Sequence, residues 1–278
     1  MQLSKEIISV ILTKNEEKNI KKCLKSLTWA RIVLIFDSQS NDRTINIAKQ
    51  FPNTKIIKCK YKLSYVDKLN YICQSLQNKL ILVLDADYEL SYNLVKEISK
   101  LQSSPNIFGY KIKIYNKIND TILKESLYPS KILLFKAKKN LFKKYGHKEI
   151  IRNVGKVISL KNYIIHHDKK FFKTWLRNQI SYAQKDAKII LNTNFSKLSI
   201  SNKLRTFPFL MSFISFGYYF FKLNFKYKIP GLIYILRRQI YECILSCFIF
   251  YYLIRNFLNL LTFNNIRLKF INKYKLYF

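Results

Sequence analysis

The sequence predicts an α/β fold in which a mostly parallel sheet is flanked by helices. In the first 100 residues, short β-branched apolar runs alternate with stretches whose apolar residues recur at helical spacing. Strands that alternate with helices over such short distances form βαβ units, so their sheet is parallel. The predicted strands lie at Ile7–Leu12, Ile32–Phe36, Thr54–Ile57 and Leu80–Leu84.

Polar clusters follow three of these strands, at residues 13–16, 37–42 and 85–87. Parallel strands joined by right-handed crossovers bring these ends to one edge of the sheet. Ligands of open α/β sheets bind outside the carboxyl ends of the strands. The pattern therefore predicts a nucleotide-type cleft at this edge.

The pattern changes after residue 107. Short strand-like runs are predicted at Tyr110–Tyr115, Ile132–Phe135 and Val157–Leu160, before a long helix at about Phe171–Leu191. We predict a first domain at residues 1–195 and a basic, aromatic helical region at residues 196–278.

Two aromatic-apolar stretches, Phe207–Leu223 and Ile244–Leu261, dominate the second region. Each approaches the ~20 residues that span a bilayer, but polar residues interrupt both. Basic residues flank them, which is typical of amphipathic helices at a membrane interface. The alternative interpretations are a buried helical subdomain and true membrane spans.

The formal net charge of +34 calls for an anionic partner or a compositional cause. After Asp186 the only acidic residue is Glu242, while Lys and Arg continue to the end. Richness in Lys, Asn, Ile, Tyr and Phe is typical of an AT-rich genome and explains much of the excess. No secretory core is visible, so we expect a cytoplasmic location at the inner face of the membrane.

Asp85 and Asp87 are two carboxylates separated by one residue at the end of an apolar strand. In extended backbone both side chains point to the same side. Close carboxylates repel each other unless one is protonated or a cation lies between them. Mg²⁺ and Mn²⁺ bind one or two carboxylates and complete their coordination with substrate phosphates, so the pair predicts a divalent metal site. Asp37 ends the second strand, where a carboxylate accepts hydrogen bonds from a base or ribose.

The motifs in chain order resemble family 2 glycosyltransferases of the GT-A fold, in particular bacterial enzymes of lipopolysaccharide-core and surface-glycan assembly. Three motifs carry the resemblance: Thr13–Ile20 (TKNEEKNI), Asp37–Thr44 (DSQSNDRT) and Leu84–Asp87 (LDAD). It continues through further segments: Tyr128–Lys131 (YPSK), Tyr145–His147 (YGH), His166–Lys170 (HHDKK), Trp175, Gln179–Ala183 (QISYA) and Pro230–Leu232 (PGL).

The resemblance implies a nucleoside-diphosphate sugar donor, a divalent cation (Mg²⁺ or Mn²⁺) and inversion at the anomeric carbon by direct displacement. It places Asp37 at the nucleoside, with Asn15 and Glu16 in the loop beside the base. It places Asp85 near the ribose and sugar, and Asp87 at the metal. The implied partners are the nucleotide sugar, a glycan or glycolipid acceptor and the cytoplasmic membrane surface; no nucleic acid is expected.

Two departures from the family pattern concern the donor site. The family usually has Gly where Gln39 stands and Thr where Asn41 stands. A basic residue usually precedes the Asn at position 70, whereas here Leu69 does and Lys68 lies one place earlier. Lys68 is therefore the candidate for the diphosphate contact.

The base that deprotonates the acceptor hydroxyl has two candidates, Glu149 and His147. Glu149 fits the place of an acidic base in relatives, and His147 fits the Gly-His of the subgroup. His166 follows the last predicted strand, where GT-A enzymes supply a His to the metal. Either residue of the first pair is equally compatible with a salt-bridged surface role, and His166 with a structural one.

Two other functions deserve comparison. A nucleotidyltransferase has a similar sheet with metal carboxylates, but it usually needs a Gly-rich phosphate loop, and residues 10–20 contain no Gly. A nucleic-acid-binding protein would suit the charge and the 15% aromatic residues. The nucleic-acid-binding interpretation leaves the carboxylates at the strand ends unexplained.

Overall fold

The chain divides into two compact units in a computed structural model. One unit comprises Met1–Lys170 with Phe225–Gly231, and the other Phe171–Asn224 with Leu232–Phe278. The long helix after residue 171 thus lies in the second unit, whereas the sequence prediction includes it in the first domain. The structure describes residues 6–59, 63–102, 104–125, 128–145, 148–152, 155–167, 169 and 172–274.

The first unit contains eleven strands and four helices among its described residues. The strands are β1 Ile8–Thr13, β2 Val33–Asp37, β3 Thr54–Lys58, β4 Leu80–Asp85, β5 Tyr88–Leu90, β6 Ile107–Ile118, β7 Thr121–Leu123, β8 Lys131–Lys136, β9 Phe142–Tyr145, β10 Lys148–Ile151 and β11 Lys156–His166. The helices are α1 Ile20–Lys25, α2 Thr44–Ala48, α3 Tyr65–Ser75 and α4 Tyr92–Ser99. All four strands predicted in the first 100 residues, and the three strand-like runs after residue 107, are confirmed.

Nine strands form one sheet in the order β3-β2-β1-β4-β8-β6-β11-β5, with β7 paired to β6. Strands β3, β2, β1 and β4 are mutually parallel, as the alternation of strands and helices predicts. Strand β8 runs antiparallel between β4 and β6, and β11 returns parallel to β6. The remaining strands, β9 and β10, form a separate antiparallel hairpin.

The register of the central strands fixes the position of the polar clusters. Thr13 on β1 is opposite Asp37 on β2, and Leu12 is opposite Asp85 on β4. The carboxyl ends of β1, β2 and β4 therefore lie at one edge, which confirms the placement expected from the sequence.

Alternate residues of β1 enter two apolar layers, one on each face of the sheet. Ile11 belongs to the layer that contains Leu24 of α1, and Val10 to the layer that contains Ile72 of α3. A strand covered by helices on both faces needs a continuous apolar run, and β1 supplies one. Each fully buried Ile or Leu contributes roughly 1.5–3 kcal/mol, so these layers hold the strand ends rigidly.

The second unit is helical in its described part. Its elements are α5 Phe172–Asn192, α6 Ile200–Arg205, α7 Leu210–Tyr219, a π-helical stretch Phe220–Asn224 and the part of α8 (Phe225–Tyr274) beyond Gly231. Ala187 of α5 packs in one apolar cluster with Leu245 and Ile249 of α8. The predicted long helix, and the helical nature of the C-terminal region in its described part up to Tyr274, are confirmed.

The close approach of β6 to β8 generates a first prediction. A Cβ added at Gly109 would lie 2.7 Å from the backbone oxygen of Leu134 and 2.8 Å from Cβ of Phe135. Neither group is the end of a flexible side chain, so we expect Gly109→Ala to lower the free energy of unfolding by about 1–3 kcal/mol. Denaturant titration measures this change.

Gly155→Ala is the matched control, because the nearest atom to its added Cβ is Cβ of Phe108 at 3.6 Å, an ordinary contact. Equal free energies of unfolding for the two variants would show that Gly109 of β6 does not approach Leu134 and Phe135 of β8 this closely.

Candidate active site

Two loops at the sheet edge are tied together by side-chain hydrogen bonds. In the loop after β1, the backbone N–H of Asn15 donates to Ser40 Oγ at 2.9 Å, and that of Glu16 donates to Thr44 Oγ1 at 2.8 Å. In return, Asn15 Oδ1 accepts from the backbone N–H of Asn41 at 2.8 Å. Asn15 and Glu16 are therefore placed beside the loop that follows Asp37.

Asp37 is buried at the end of β2 and is oriented by its own loop. Its carboxylate accepts from the backbone N–H of Ser40 at 3.0 Å and from Ser40 Oγ at 2.5 Å. Lys68 of α3 reaches the same loop, where its Nζ donates to Ser38 Oγ at 2.6 Å. The structure thus brings Lys68 and Asp37 to one side of the cleft.

Gln39 and Asn15 both adopt left-handed backbone, with φ of 60° and 55°. Residues with a Cβ pay about 1–2 kcal/mol in this region, and Asn tolerates it better than most. The glycine that the family usually carries at position 39 has a physical reason here. Gln39 adopts the same turn at an energetic cost.

Asp42 supports the start of α2. It accepts from the backbone N–H of Thr44 at 3.0 Å and of Glu17 at 3.1 Å. Burial would raise the pKa of Asp42, but these hydrogen bonds outweigh it and lower the pKa. Both carboxylate oxygens are engaged by backbone N–H groups, so Asp42 holds the start of α2 against the loop after β1.

Asp85 ends β4, where its surroundings disfavour the ionised carboxylate. Burial and the nearby charge of Asp87 raise its pKa, while Lys131 and a hydrogen bond from Tyr65 act in the opposite direction. The Tyr65 hydroxyl donates to Asp85 Oδ1 at 2.9 Å. Desolvation and the adjacent carboxylate raise the pKa of Tyr65, so its hydroxyl keeps the proton that it donates.

Lys131, at the start of β8, compensates the carboxylates from the other side. Its Nζ lies 3.0 Å from Glu149 Oε1, and both side chains are largely buried. Burial alone would lower the pKa of Lys131, but the charges of Asp85 and Glu149 and the proximity of Tyr128 raise it. The ammonium is therefore firmly protonated and keeps Glu149 in an ion pair.

Glu149 is positioned by the β9–β10 hairpin, which α3 holds in place. The side-chain amide of Asn70 donates to the backbone oxygen of Phe142 at 3.0 Å and accepts from its N–H at 2.9 Å. This two-point contact fixes β9, and β10 carries Glu149 beside it. His147, the other candidate base, lies outside the described residues.

His166 reaches Asp87 because β11 pairs with β5. His166 is opposite Tyr88 in this antiparallel register, one residue beyond Asp87. The backbone N–H of His167 also donates to the backbone oxygen of Asp87 at 2.8 Å. His166 Nε2 consequently lies 3.3 Å from Asp87 Oδ2, with both side chains largely buried.

The second imidazole nitrogen of His166 indicates what the Asp87–His166 pair can bind. Its Nδ1 lies 2.8 Å from Asn116 Oδ1, so it carries the proton of this hydrogen bond. In the neutral ring Nε2 then presents a lone pair to the Asp87 carboxylate, and two acceptors face each other. A cation between them, or a proton on Nε2, removes this conflict.

A divalent cation fits this arrangement. Among the described residues no group of three or more His, Cys, Asp or Glu side chains is disposed to hold a metal ion. One carboxylate and one imidazole nevertheless suffice for Mn²⁺ or Mg²⁺ when substrate phosphates and water fill the other positions. The hydrogen bond that His166 Nδ1 donates to Asn116 Oδ1 orients the ring in the way that such ligands usually require.

The second histidine of the pair has a structural role. His167 is buried, and its Nε2 lies 2.5 Å from Glu89 Oε2. Burial lowers the pKa of His167 more than this contact raises it. His167 thus anchors the end of β11 to β5 and leaves His166 to face Asp87.

Sequence reasoning gave no role to four residues that complete the site: Tyr65, Asn70, Asn116 and Lys131. Lys131 is the last residue of the Tyr128–Lys131 segment, which contributed to the family resemblance. Its place in that segment is the one feature of the sequence that pointed to Lys131. The two asparagines act across the antiparallel half of the sheet and the hairpin, where no local pattern reveals the partner.

The parallel strands with carboxylates at their ends define an α/β enzyme of the nucleotide-binding type. Residues 9–159 match the model of the family "Glycosyl transferase family 2", which is more than half of the chain. The chain belongs to this family. The resemblance and the class of enzyme, a glycosyltransferase, are confirmed.

Relatives support this assignment. An uncharacterized glycosyltransferase of Rickettsia typhi is 26% identical over 240 residues, which cover 78% of this chain and 79% of the relative. One of Rickettsia bellii is 34% identical over 116 residues, which cover 40% of this chain and 39% of the relative. The chain therefore spans about two fifths of the Rickettsia bellii protein in that match.

A solved structure shares the fold. The mannosyltransferase PcManGT from Pyrobaculum calidifontis, in complex with GDP-Man and Mn²⁺, aligns with a TM-score of 0.50 and 12% identity. The alignment covers 87% of this chain and 86% of that one. At this identity the likeness is one of fold, and it confirms the predicted GT-A class.

The Lys131–Glu149 pair generates the second prediction. Lys131→Met leaves two nearby carboxylates without their cation, so we expect the free energy of unfolding to fall by about 1–3 kcal/mol. Adding Glu149→Gln should recover part of the loss. A double-mutant cycle measured by denaturant unfolding yields the coupling energy.

The control cycle uses Lys117→Met and Asp120→Asn, a pair also 3.0 Å apart whose carboxylate is 90% exposed. Solvent screens exposed pairs, so we expect a clearly smaller coupling. Equal coupling in both cycles would contradict the electrostatic role assigned to Lys131.

Proposed function

We propose that this protein transfers a sugar, with inversion, from a nucleoside-diphosphate sugar to a hydroxyl of a lipid-linked or lipopolysaccharide-type acceptor. The reaction depends on a divalent cation and takes place at the cytoplasmic face of the membrane. The observation that carries this proposal is the Asp87–His166 pair, which lies beside Asp85 at the edge where the parallel strands end.

The donor occupies the cleft between the loops after β1 and β2. Asp37 accepts hydrogen bonds from the nucleoside, with Asn15 and Glu16 beside the base. Lys68, already directed to the Asp37 loop, neutralises the diphosphate. Asp85 lies nearest the sugar and ribose, where Tyr65 holds one of its oxygens and leaves the other for hydroxyl groups.

Asp87 and His166 hold the divalent cation. When bound, Mn²⁺ or Mg²⁺ neutralises the charge that builds on the diphosphate as the glycosidic bond breaks. Mn²⁺ accompanies GDP-Man in the Pyrobaculum calidifontis mannosyltransferase, which supports this assignment. The hydrogen bond between His166 Nδ1 and Asn116 Oδ1 orients the ring so that Nε2 faces Asp87.

Glu149 takes the proton of the acceptor hydroxyl. Displacement from the face opposite the leaving diphosphate inverts the anomeric centre, and it needs a base on the acceptor side. Lys131 orients this carboxylate through their ion pair. His147 is the alternative base.

An anionic acceptor at a membrane suits the charge of the chain. The only acidic residue after Asp186 is Glu242, which is buried, so the basic side chains beyond it face few intramolecular acids. Phosphorylated glycolipids and anionic headgroups complement such a surface.

The metal assignment is tested with Asp87→Asn. This variant keeps the side-chain volume and removes the charge, so we expect loss of Mn²⁺-dependent stabilisation by nucleotide sugars and at least a hundredfold fall in transfer. Thermal shift measurements across uridine and guanosine sugars, with and without Mn²⁺, report donor binding independently of turnover.

Asp120→Asn is the matched control, because its side chain is 90% exposed in the turn between β6 and β7. It should behave like the unchanged protein. Unchanged donor stabilisation and transfer in Asp87→Asn, or activity that survives a chelator, would refute the metal site.

The base is tested with Glu149→Gln. We expect transfer to fall by about 10²–10⁴-fold while donor binding persists, because the amide keeps the shape but accepts no proton. Steady-state transfer and donor thermal shifts separate the two effects. Glu6→Gln, on an exposed residue before β1, provides the control.

His147→Gln is measured in parallel. Full transfer by Glu149→Gln, combined with loss in His147→Gln, would assign the proton transfer to His147 instead.

A further inference from the structure

Helix α7 buries polar side chains and exposes apolar ones, the reverse of the usual arrangement in a water-soluble protein. Its buried side chains include Ser212 and Ser215, whereas Phe213 is 76% exposed. The hydrophobic effect in water favours the opposite arrangement. The surroundings of this helix are therefore expected to be apolar.

Five exposed side chains of this segment form one stripe. Leu210, Phe213, Ile214, Tyr218 and Phe221 are all exposed and follow each other at helical spacing. We call these five residues the outer stripe. Ser212 and Ser215 lie on the opposite side of the same helix.

The inner side of α7 is held by polar contacts with α8. The side-chain amide of Gln239 lies 2.9 Å from Ser212 Oγ and 3.1 Å from Ser215 Oγ. These contacts satisfy the buried hydroxyls and fix which side of the helix faces inward. The outward position of the outer stripe is thus set by a specific hydrogen-bonding pattern.

A buried ion cluster reinforces this interior. Glu242 of α8 is 1% exposed and accepts from Arg205 through both oxygens, at 2.7 and 3.0 Å. Arg238 donates to the same carboxylate. The second unit therefore places charged and hydroxyl groups inside, while its outer stripe carries aromatic and aliphatic groups.

Charge decides between the surfaces that could cover the outer stripe. After Asp186 the only acidic residue is Glu242, and it is buried, so this part of the chain exposes no carboxylate side chain. A second copy would present the same positive charge. Anionic phospholipid headgroups complement it, and their acyl chains accept the phenyl rings.

The edge of the outer stripe suits a bilayer interface. Lys222 donates to the Tyr218 hydroxyl at 2.6 Å, and its ammonium also lies 4.8 Å from the ring centroid. Tyr and Lys with apolar stems and polar ends are typical of the headgroup region.

The length of α7 indicates how deeply it enters. Ten residues at 1.5 Å each extend about 15 Å, half of the ~30 Å hydrocarbon core, so α7 lies in the plane of the membrane. Among the described residues, only Lys226–Asn259 is long and apolar enough to span. Arg238 and Glu242 lie near its middle, where charge is costly in lipid, which favours an in-plane position for this helix as well.

We propose that the outer stripe is a monotopic membrane-insertion surface, which enters the acyl region of an anionic phospholipid leaflet beside basic side chains. The inference rests on the proposed membrane-side transfer and deepens it by naming the surface that binds lipid. It requires no sugar-transfer chemistry, so the two are tested separately.

The test is flotation of the full-length protein with vesicles. Phosphatidylethanolamine vesicles containing phosphatidylglycerol and cardiolipin are compared with phosphatidylcholine vesicles. The variant is Phe213→Ser with Phe221→Ser, which removes two exposed rings, 76% and 73% accessible, and no buried contact of the interior. Tyr92→Ser, at a 72% exposed aromatic residue of the first unit, is the matched control.

We expect the unchanged protein and the control to float with anionic vesicles and bind phosphatidylcholine more weakly. The double variant should lose about tenfold or more in vesicle affinity, because two rings no longer enter the acyl region. Its circular dichroism and its Mn²⁺-dependent donor stabilisation should be unchanged.

Three outcomes overturn the inference: no flotation of the unchanged protein, equal flotation of the double variant, or a dimer that the double variant converts to a monomer without vesicle binding. Flotation by the unchanged protein without any donor binding or transfer would refute the proposed function and leave the lipid surface standing.

Discussion

The repulsion between Asp85 and Asp87 is the constraint around which the first unit is built. Two carboxylates this close in a largely buried position raise each other's energy of ionisation, and the raised pKa of Asp85 expresses it. Two groups stabilise the Asp85 carboxylate: the Tyr65 hydroxyl donates a hydrogen bond to it, and the Lys131 ammonium lies nearby. His166 faces the second carboxylate. Each compensating group leaves the charge in place and thereby keeps the edge attractive to a cation.

Two of these groups, Lys131 and His166, come from strands outside the parallel half of the sheet. Strand β8 inserts antiparallel next to β4 and brings Lys131, while β11 returns against β5 and brings His166. The hairpin that carries Glu149 is attached through Asn70 of α3. The parallel half thus carries Asp37 and Asp85 at its strand ends, whereas Lys131, His166 and Glu149 come from β8, β11 and the hairpin.

This division explains what the sequence could and could not reveal. The parallel strands are continuous apolar runs, so their positions, and with them Asp37, Asp85 and Asp87, follow from local pattern. Lys131 and Asn116 act through partners that are distant in sequence, which no local signal encodes. Glu149 lies in the separate hairpin, and His166 is opposite Asn116 in the parallel pairing of β11 with β6. The C-terminal stretches were recognisable as amphipathic from their composition. Which side of α7 faces outward depends on hydrogen bonds to Gln239 that only the packed helices show.

The interior around Glu242 in the second unit is stabilised by different interactions from those of the first unit. Apolar layers hold β1–β4 together, whereas the interior around Glu242 relies on hydrogen-bonded charges from Arg205 and Arg238. In water, a buried ion pair offsets its desolvation only when every group is satisfied, and an exposed Phe213 contributes nothing to folding. In lipid the same charges are more costly to expose, and the phenyl ring is solvated by acyl chains. In the membrane-bound state proposed above, the free energy that favours this packing would therefore be larger in a bilayer than in water, and attachment and the packing of α7 on α8 would stabilise each other.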